Sequence, residues 1–269
     1  MSQEYAGVYL ASDDPNTYES TPLANAGWYD EGQHGGAIAA LITGHVERIP
    51  TLVPMEVSRV TVEIFRVIPL VPLTIESEIV REGKKIQVVR ATVTNPDGLA
   101  LAIAHVQRLR TTEAAVPDLS QPLRLPMPDQ IEERGLLSWR HSDPDKVMFH
   151  RGAIEVREIY GGFTEGGPGA IWLRLTAPLV AGEAPTPAQL AVVVADFCNG
   201  VSRGLGDDWI FMNSDLTVHI GRYPCGEWVA LEAESHYENH GRGVAAGLIW
   251  DQNGWVGRSS QSLFLERFT

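Results

Sequence analysis

Apolar and polar positions fall into two similar series along the chain. In the first, HGGAIAALITGHVERI (34–49) sets small and apolar residues at helical spacing behind Gly35 and Gly36, which predicts a helix. Four stretches rich in Val, Ile and Thr follow, near 57–68, 73–82, 86–95 and 99–110, punctuated by Gly, Asn and Pro, and read as strands. In the second series a helix is predicted from about Pro187 to Arg203, with Thr186 as N-cap and Pro187 at the first helical position. Strands near 210–222, 227–237, 243–251 and 255–267 come next. Shorter β-like segments precede each helix, at Gly7–Ala11 in one case and at 149–160 and 170–177 in the other. Residues 190–197 are apolar on every face, so the predicted sheet has to curl around its helix.

The two series are an internal repeat. SRVTVEIFRVIP, from Ser58, aligns with SDLTVHIGRYP, from Ser214, placing Thr61 on Thr217, a separation of 156 (217 − 61). In the same register the turn sequence Asn95-Pro-Asp-Gly98 falls on Asp251-Gln-Asn-Gly254. A helix followed by an antiparallel meander, twice, is an α+β architecture. The first domain is expected at 1–115 and the second at 146–269. The linker between them (116–145) overlaps AAVPDLSQPLRLPMPD (114–129), whose prolines favour extended chain.

The chain has 269 residues, 44% of them hydrophobic and 20% charged, enough apolar surface for a substantial core. A formal net charge of −13 with no basic cluster argues against nucleic acid or an anionic membrane as partner. No apolar run is long enough to cross a bilayer, so no membrane insertion is expected. MSQEYAGVYLASDD has neither a basic start nor a long apolar run, so no secretory signal is expected either. Cys198 and Cys225 read as ordinary thiols, which fits a cytoplasmic location.

Candidate chemistry starts at AQLAVVVADFCNG (188–200), where Asp196 stands in an otherwise apolar helix. A buried carboxylate needs hydrogen-bond donors or a task. The bland alternative turns Asp196 to solvent or pairs it with Arg203. Donors are available on the following strands. Asn213, Asp215 and Thr217 share one face of the first, and Gln261, Leu263 and Leu265 share the buried face of the last. Gly200-Val201-Ser202-Arg203-Gly204 matches the G-x-S-x-G nucleophile elbow of serine hydrolases, but it closes a helix and precedes strands, the reverse of the order that chemistry needs. Ser202 therefore stands as a minor alternative. His236, Glu238 and His240 alternate as metal ligands can, yet Asn239-His240-Gly241 reads as a hairpin turn, and no metal is expected. GGFTEGGPG (161–169) lacks the Lys-Ser/Thr of a phosphate loop and reads as a flexible loop.

Asp196 in VVADF, Asn213 in FMNSDLTVHIGR and Gln261 in SSQSLFLER, with HGG opening the first helix, resemble the double-hotdog acyl-CoA thioesterases, the type II or medium-chain family. The resemblance implies a tandem hotdog fold, each half a long central helix wrapped by a curled antiparallel sheet. It implies hydrolysis of acyl-CoA to free acid and CoA without metal or other cofactor. Asp196 would be the general base, and Asn213 and Gln261 would position a water. Asn213 stands where the family has Ser or Thr; the neighbouring Ser214 would replace it only after a one-residue slip in register. Backbone N–H groups of Gly35 and Gly36 would form the oxyanion site. A homo-oligomer of such chains is left open. The alternatives are a non-catalytic acyl-CoA-binding module and the Ser202 hydrolase. A hydratase would need an acid–histidine pair, and the second helix contains no histidine. The repeat carries Gln261 to His105 and Asn213 to Val57, and the first helix offers only Glu47 near its end. One catalytic site per chain is expected, a second site around His105 being the alternative.

Overall fold

The computed structural model describes residues 5–27, 32–117, 122–132 and 146–267. The parts of the expected linker at 118–121 and 133–145 lie outside these. The first series comprises β1 (Tyr9–Ala11), β2 (Thr17–Ser20), α1 (Gly35–Glu47), β3 (Met55–Ile64), β4 (Leu73–Arg81), β5 (Ile86–Thr94) and β6 (Ala100–Arg110). The second comprises α2 (Phe149–Gly152), β7 (Ile154–Tyr160), α3 (Gly162–Glu165), β8 (Gly169–Leu175), α4 (Pro187–Ala195), α5 (Cys198–Val201), β9 (Trp209–Asn213), β10 (Asp215–Ile220), β11 (Val229–Glu238), β12 (Arg242–Asp251) and β13 (Gly254–Arg267).

All strands join one sheet in the order β1-β2-β4-β5-β6-β3-β10-β13-β12-β11-β8-β7, with β9 attached to β13. The two series meet where β3 pairs antiparallel with β10. There Thr61 faces Thr217, their hydroxyls 3.3 Å apart, flanked by Val60 opposite Val218 and Val62 opposite Leu216. The partners on either side are repeat-equivalents exchanged, so the sequence repeat is a pseudo-twofold axis through the two threonines. Its matched turns each place a glycine at positive φ, Gly98 at 78° and Gly254 at 115°, where a side chain would be strained.

Both central helices are sunk in the core. Every residue of α1 from Gly36 to Thr43 is buried, and so is every residue from Ala191 to Ser202. Alternation along β13 explains the enclosure: Ser259, Gln261, Leu263 and Leu265 point in and Arg258, Ser260, Ser262 and Phe264 point out. Helices α1 and α4 pack against each other through Gly36 and Gly44. A Cβ on Gly36 would lie 2.9 Å from Asp196 Cβ, and one on Gly44 only 2.2 Å from Gln189 Nε2. α4 starts in a capping box: Gln189 N–H donates to Thr186 Oγ1 (3.2 Å) and Thr186 N–H to Gln189 Oε1 (2.9 Å).

Several expectations change. The helix predicted to run unbroken to Arg203 stops at Ala195 and resumes at Cys198. Side chains of β13 interrupt its ladder: Ser259 Oγ donates to Ala195 O (3.0 Å) and Gln261 Nε2 to Asp196 O (3.0 Å), while Asn199 N–H donates to Gln261 Oε1 (3.2 Å). The strand predicted at 210–222 is split at Ser214, and the split reverses its faces. Phe211 is buried before it, and Leu216 and Val218 after it, so Asp215 and Thr217 do not share the face of Asn213. The first half has the same irregularity at Ser58, the repeat-equivalent of Ser214. Residues 149–152 form a helical turn ahead of β7, GGFTEGGPG contains the short helix α3, and β2 is an element the periodicity did not predict. The expected extended linker packs: Leu123, Leu125, Met127 and Ile131 cover Trp172 and Trp250, and Trp172 Nε1 donates to Pro126 O (2.8 Å).

Candidate functional site

Asp196 caps α4 at its C-terminal end and is 5% exposed. The antiparallel helix pairing brings it to the N-terminus of α1, where free N–H groups and the helix dipole favour a negative charge. Gly36 N–H donates to Asp196 Oδ2 (2.5 Å), and Asn213 Nδ2 (2.9 Å) and Gln261 Nε2 (3.0 Å) donate to Oδ1. The three residues singled out in the sequence thus meet, with the Asn213 and Gln261 side chains on the Asp196 carboxylate. The amide orientations are fixed by their partners. Asn213 Nδ2 also donates to Asp215 O (3.2 Å), so it faces two oxygens and leaves Oδ1 with no partner among the described residues. Burial raises the Asp196 carboxyl to about 6, against the lowering effect of the bonds from Asn213, Gly36 and Gln261.

The structure gives a place in the site to His34, which entered the sequence analysis only as part of HGG, with no role assigned. It is the N-cap of α1, and its Nδ1 accepts from Gly36 N–H (3.1 Å) and lies 3.3 Å from Asp196 Oδ2. Phe149 and Phe197 pack against the ring, at centroid distances of 4.8 and 4.9 Å. Burial pulls the imidazole down to about 4, so it is neutral at pH 7, with Nδ1 as the acceptor and the proton on Nε2. Its place directly before a Gly-Gly helix start was the available signal, since that is where a capping side chain sits. An acid–histidine pair therefore exists, built from two helices instead of one. The lack of a histidine on the second helix does not exclude it.

Gly36 N–H, expected to face a substrate oxyanion, is instead bound to the carboxylate and His34. Gly35 N–H, one residue earlier, has no acceptor among the described residues, and Gly35 lines the adjoining cavity. That cavity measures about 260 Å³. Its walls include His34, Asp196 and Asn213 beside Ile68, Phe163 and Phe197. His150 also lines it; burial takes its imidazole down to about 3, and its Nε2 has no hydrogen-bond partner among the described residues.

The other candidates lie elsewhere. Ser202 is buried, its hydroxyl 2.6 Å from both Cys198 O and Ser235 Oγ, with no histidine as partner among the described residues. Arg203 pairs with Asp207 (3.0 Å) and leaves Asp196 alone. His236 lies 3.7 Å from Glu234, and residues 239–241 form the turn between β11 and β12. Among the described residues no three His, Cys, Asp or Glu side chains are grouped to hold a metal, and no helix is long and apolar enough to cross a membrane. His105 does not mirror Gln261. It faces Thr61 across β3 and β6 as Ser260 faces Thr217, so the mirror of Gln261 is the buried Val106. The hairpin turns align, but pairing resumes one residue apart after them: Thr94 meets Ala100 whereas Asp251 meets Gly254.

Comparison with known proteins bears on the whole chain. The pattern of the acyl-CoA thioesterase N-terminal domain matches residues 25–111, and that of the acyl-CoA thioesterase C-terminal domain matches residues 127–265. No curated protein matches the sequence. Among solved structures, a Novosphingobium aromaticivorans protein assigned as a thioesterase superposes with a TM-score of 0.74 at 20% identity, covering 96% of this chain and 98% of its own. A hot dog fold protein of unknown function from Alicyclobacillus acidocaldarius gives 0.73 at 16% identity, covering 96% of each chain. The acyl-CoA thioesterase II of Mycobacterium marinum gives 0.66 at 14% identity, again over 96% of each chain. At these identities the structural likeness establishes the hotdog fold.

Proposed function

The chain belongs to the acyl-CoA thioesterase family and is a thioester hydrolase, and we propose that it cleaves acyl-CoA with Asp196 as the general base. The observation that carries this reading is the Asp196 carboxylate: buried, held by three donors, raised to about 6, and on the wall of a largely apolar cavity. At neutral pH it is ionised and basic enough to take a proton from water. The donor hydrogens of Asn213 and Gln261 are already spent, so these amides fix the carboxylate, and the unpartnered Asn213 Oδ1 offers a second acceptor beside it. A water giving one hydrogen to Asp196 and the other to Asn213 Oδ1 turns a lone pair outward to the substrate.

Attack on the thioester carbonyl carbon forms a C–O bond and moves the π electrons onto oxygen. The Gly35 N–H, at the positive end of α1, and the Nε2–H of His34 are the donors to that oxyanion. Collapse breaks the C–S bond, and Asp196 returns its proton to the departing thiolate. The two halves, which we divide at 1–115 and 146–269, both contribute: base and amides from the second, oxyanion donors from the first.

Release of free thiol from a panel of acyl-CoA esters tests the reading. Asp196→Asn should lower turnover by about 10²–10⁴-fold, the usual scale for a general base, with the fold retained by circular dichroism. Wild-type rates in a folded variant would make Asp196 structural. The His34–Asp196 pair also suits addition of water to an enoyl thioester. Loss of the enoyl chromophore without thiol release would favour that chemistry, and tight acyl-CoA binding without either would favour a binding module.

A further inference from the structure

A cavity of about 260 Å³ can take the thioester and part of an acyl group but not coenzyme A. On the acyl-CoA reading above, the nucleotide end of the substrate has to rest on the rim. There the chain leaving β3 contributes Phe65, Arg66 and Val67 to the cavity wall, and β13 contributes Phe264. Arg66 is the one lysine or arginine among the described residues that line the cavity. It is exposed and has no ion pair or hydrogen bond among the described residues. Phe65 and Phe264 are 46% and 51% exposed, a large apolar area to leave facing water at the mouth of a site. A guanidinium without a partner beside two uncovered rings matches a ligand with phosphates on an apolar and aromatic body.

We propose that Phe65, Arg66 and Phe264 form the platform for the coenzyme A end of the substrate, with Arg66 bound to its phosphates and the two rings covering the pantetheine or adenine. In an acidic protein this local cation also draws a polyanionic substrate to the mouth.

The test compares an acyl-CoA with the N-acetylcysteamine thioester of the same acyl group, which lacks the nucleotide. Arg66→Gln should raise KM for acyl-CoA by about 3- to 10-fold, the range for an exposed charge-assisted contact, leave kcat unchanged, and leave the N-acetylcysteamine thioester unaffected. Arg66→Lys should recover most of the loss. Added salt should raise KM for acyl-CoA in the wild type more than in Arg66→Gln. An equal rise for both thioesters, or none for either, overturns the proposal. So does a loss confined to acyl groups that end in a carboxylate, which would place the anion on the acyl chain. Calorimetric titration of free coenzyme A against pantetheine gives an answer without turnover. Arg66-dependent preference for coenzyme A in a wild type that hydrolyses neither thioester would sink the hydrolytic reading and keep this one. Equal affinity in wild type and Arg66→Gln would sink this one alone.

Discussion

The properties of Asp196 set opposing demands on activity and stability. Its carboxyl is raised from 3.8 to about 6 chiefly by burial, so kcat/KM, if Asp196 is the base, should rise with pH through about 6 and then level off. The stability effect has the opposite sign. Between about 4 and 6 the native state keeps the proton that the unfolded chain has lost, so stability falls as pH rises across that window and stays lower above it. Asparagine is neutral like the protonated acid and has an N–H to offer His34 Nδ1, but its amide nitrogen cannot accept from Gly36 N–H as Oδ2 does. The stability of Asp196→Asn relative to the wild type should therefore rise by ~2–3 kcal/mol between about pH 4 and 6, for a shift of about two units, with the lost Gly36 bond as a pH-independent cost. Urea melts at several pH values measure this; a constant gap would mean that the carboxylate is better satisfied than its burial implies. At this scale the sequence was informative where chemistry contradicts context. An acid in an apolar helix and a glutamine on a buried strand face stood out. His34 was visible only as the first letter of HGG and as a possible cap, because its contact with Asp196 forms when the other half closes on it.

Among the elements, α1 and α4 determine whether the site exists. Glycine in a helix interior costs about 1 kcal/mol relative to alanine, and α1 carries Gly36 and Gly44 where α4 comes close. A methyl on Gly36 would meet Asp196 Cβ and the Val193 carbonyl (3.1 Å), both fixed by the backbone, whereas on Gly44 it would meet the movable end of Gln189. Gly36→Ala should thus lose about 1–3 kcal/mol through overpacking and most activity, while Gly44→Ala keeps activity, since Gln189 can swing aside at the expense of its bonds to Ala40 O (3.1 Å) and from Thr186 N–H (2.9 Å). Thermal melts with thiol-release assays separate the two; equal losses would show that the contact, and not the carboxylate, is what matters. Helix and strand positions were largely legible from periodicity. The break after Ala195 was not, because it depends on Ser259 and Gln261 reaching in from a strand more than sixty residues away. The change of face at Ser214 was hidden for a related reason: alternation is read on the assumption that no residue is inserted.

The whole molecule is a two-fold object whose two ends are built differently. Counting from the first residue of each helix, the counterpart of Asp196 is Gly44 (196 − 187 and 44 − 35 are equal). Gln189 fills the space beside it, Val57 and Val106 replace the amides, and Glu47 is tied to the Thr186 hydroxyl (2.6 Å) and the Tyr223 hydroxyl (3.4 Å). Titration with a non-hydrolysable acyl-CoA analogue should give one productive site per chain, and two would overturn this. The repeat was visible in the sequence, but which mirror positions fall opposite each other was not, because a one-residue difference after the hairpin turns moves His105 to the outer face. In a pair of identical subunits every substitution arises twice, so a stability-lowering acid would burden both ends alike. Joining the halves across the Thr61–Thr217 axis removes that constraint: each position answers to selection on its own. One end can then evolve reactivity while its mirror image hardens into scaffold, a division of labour that no assembly of identical copies can reach.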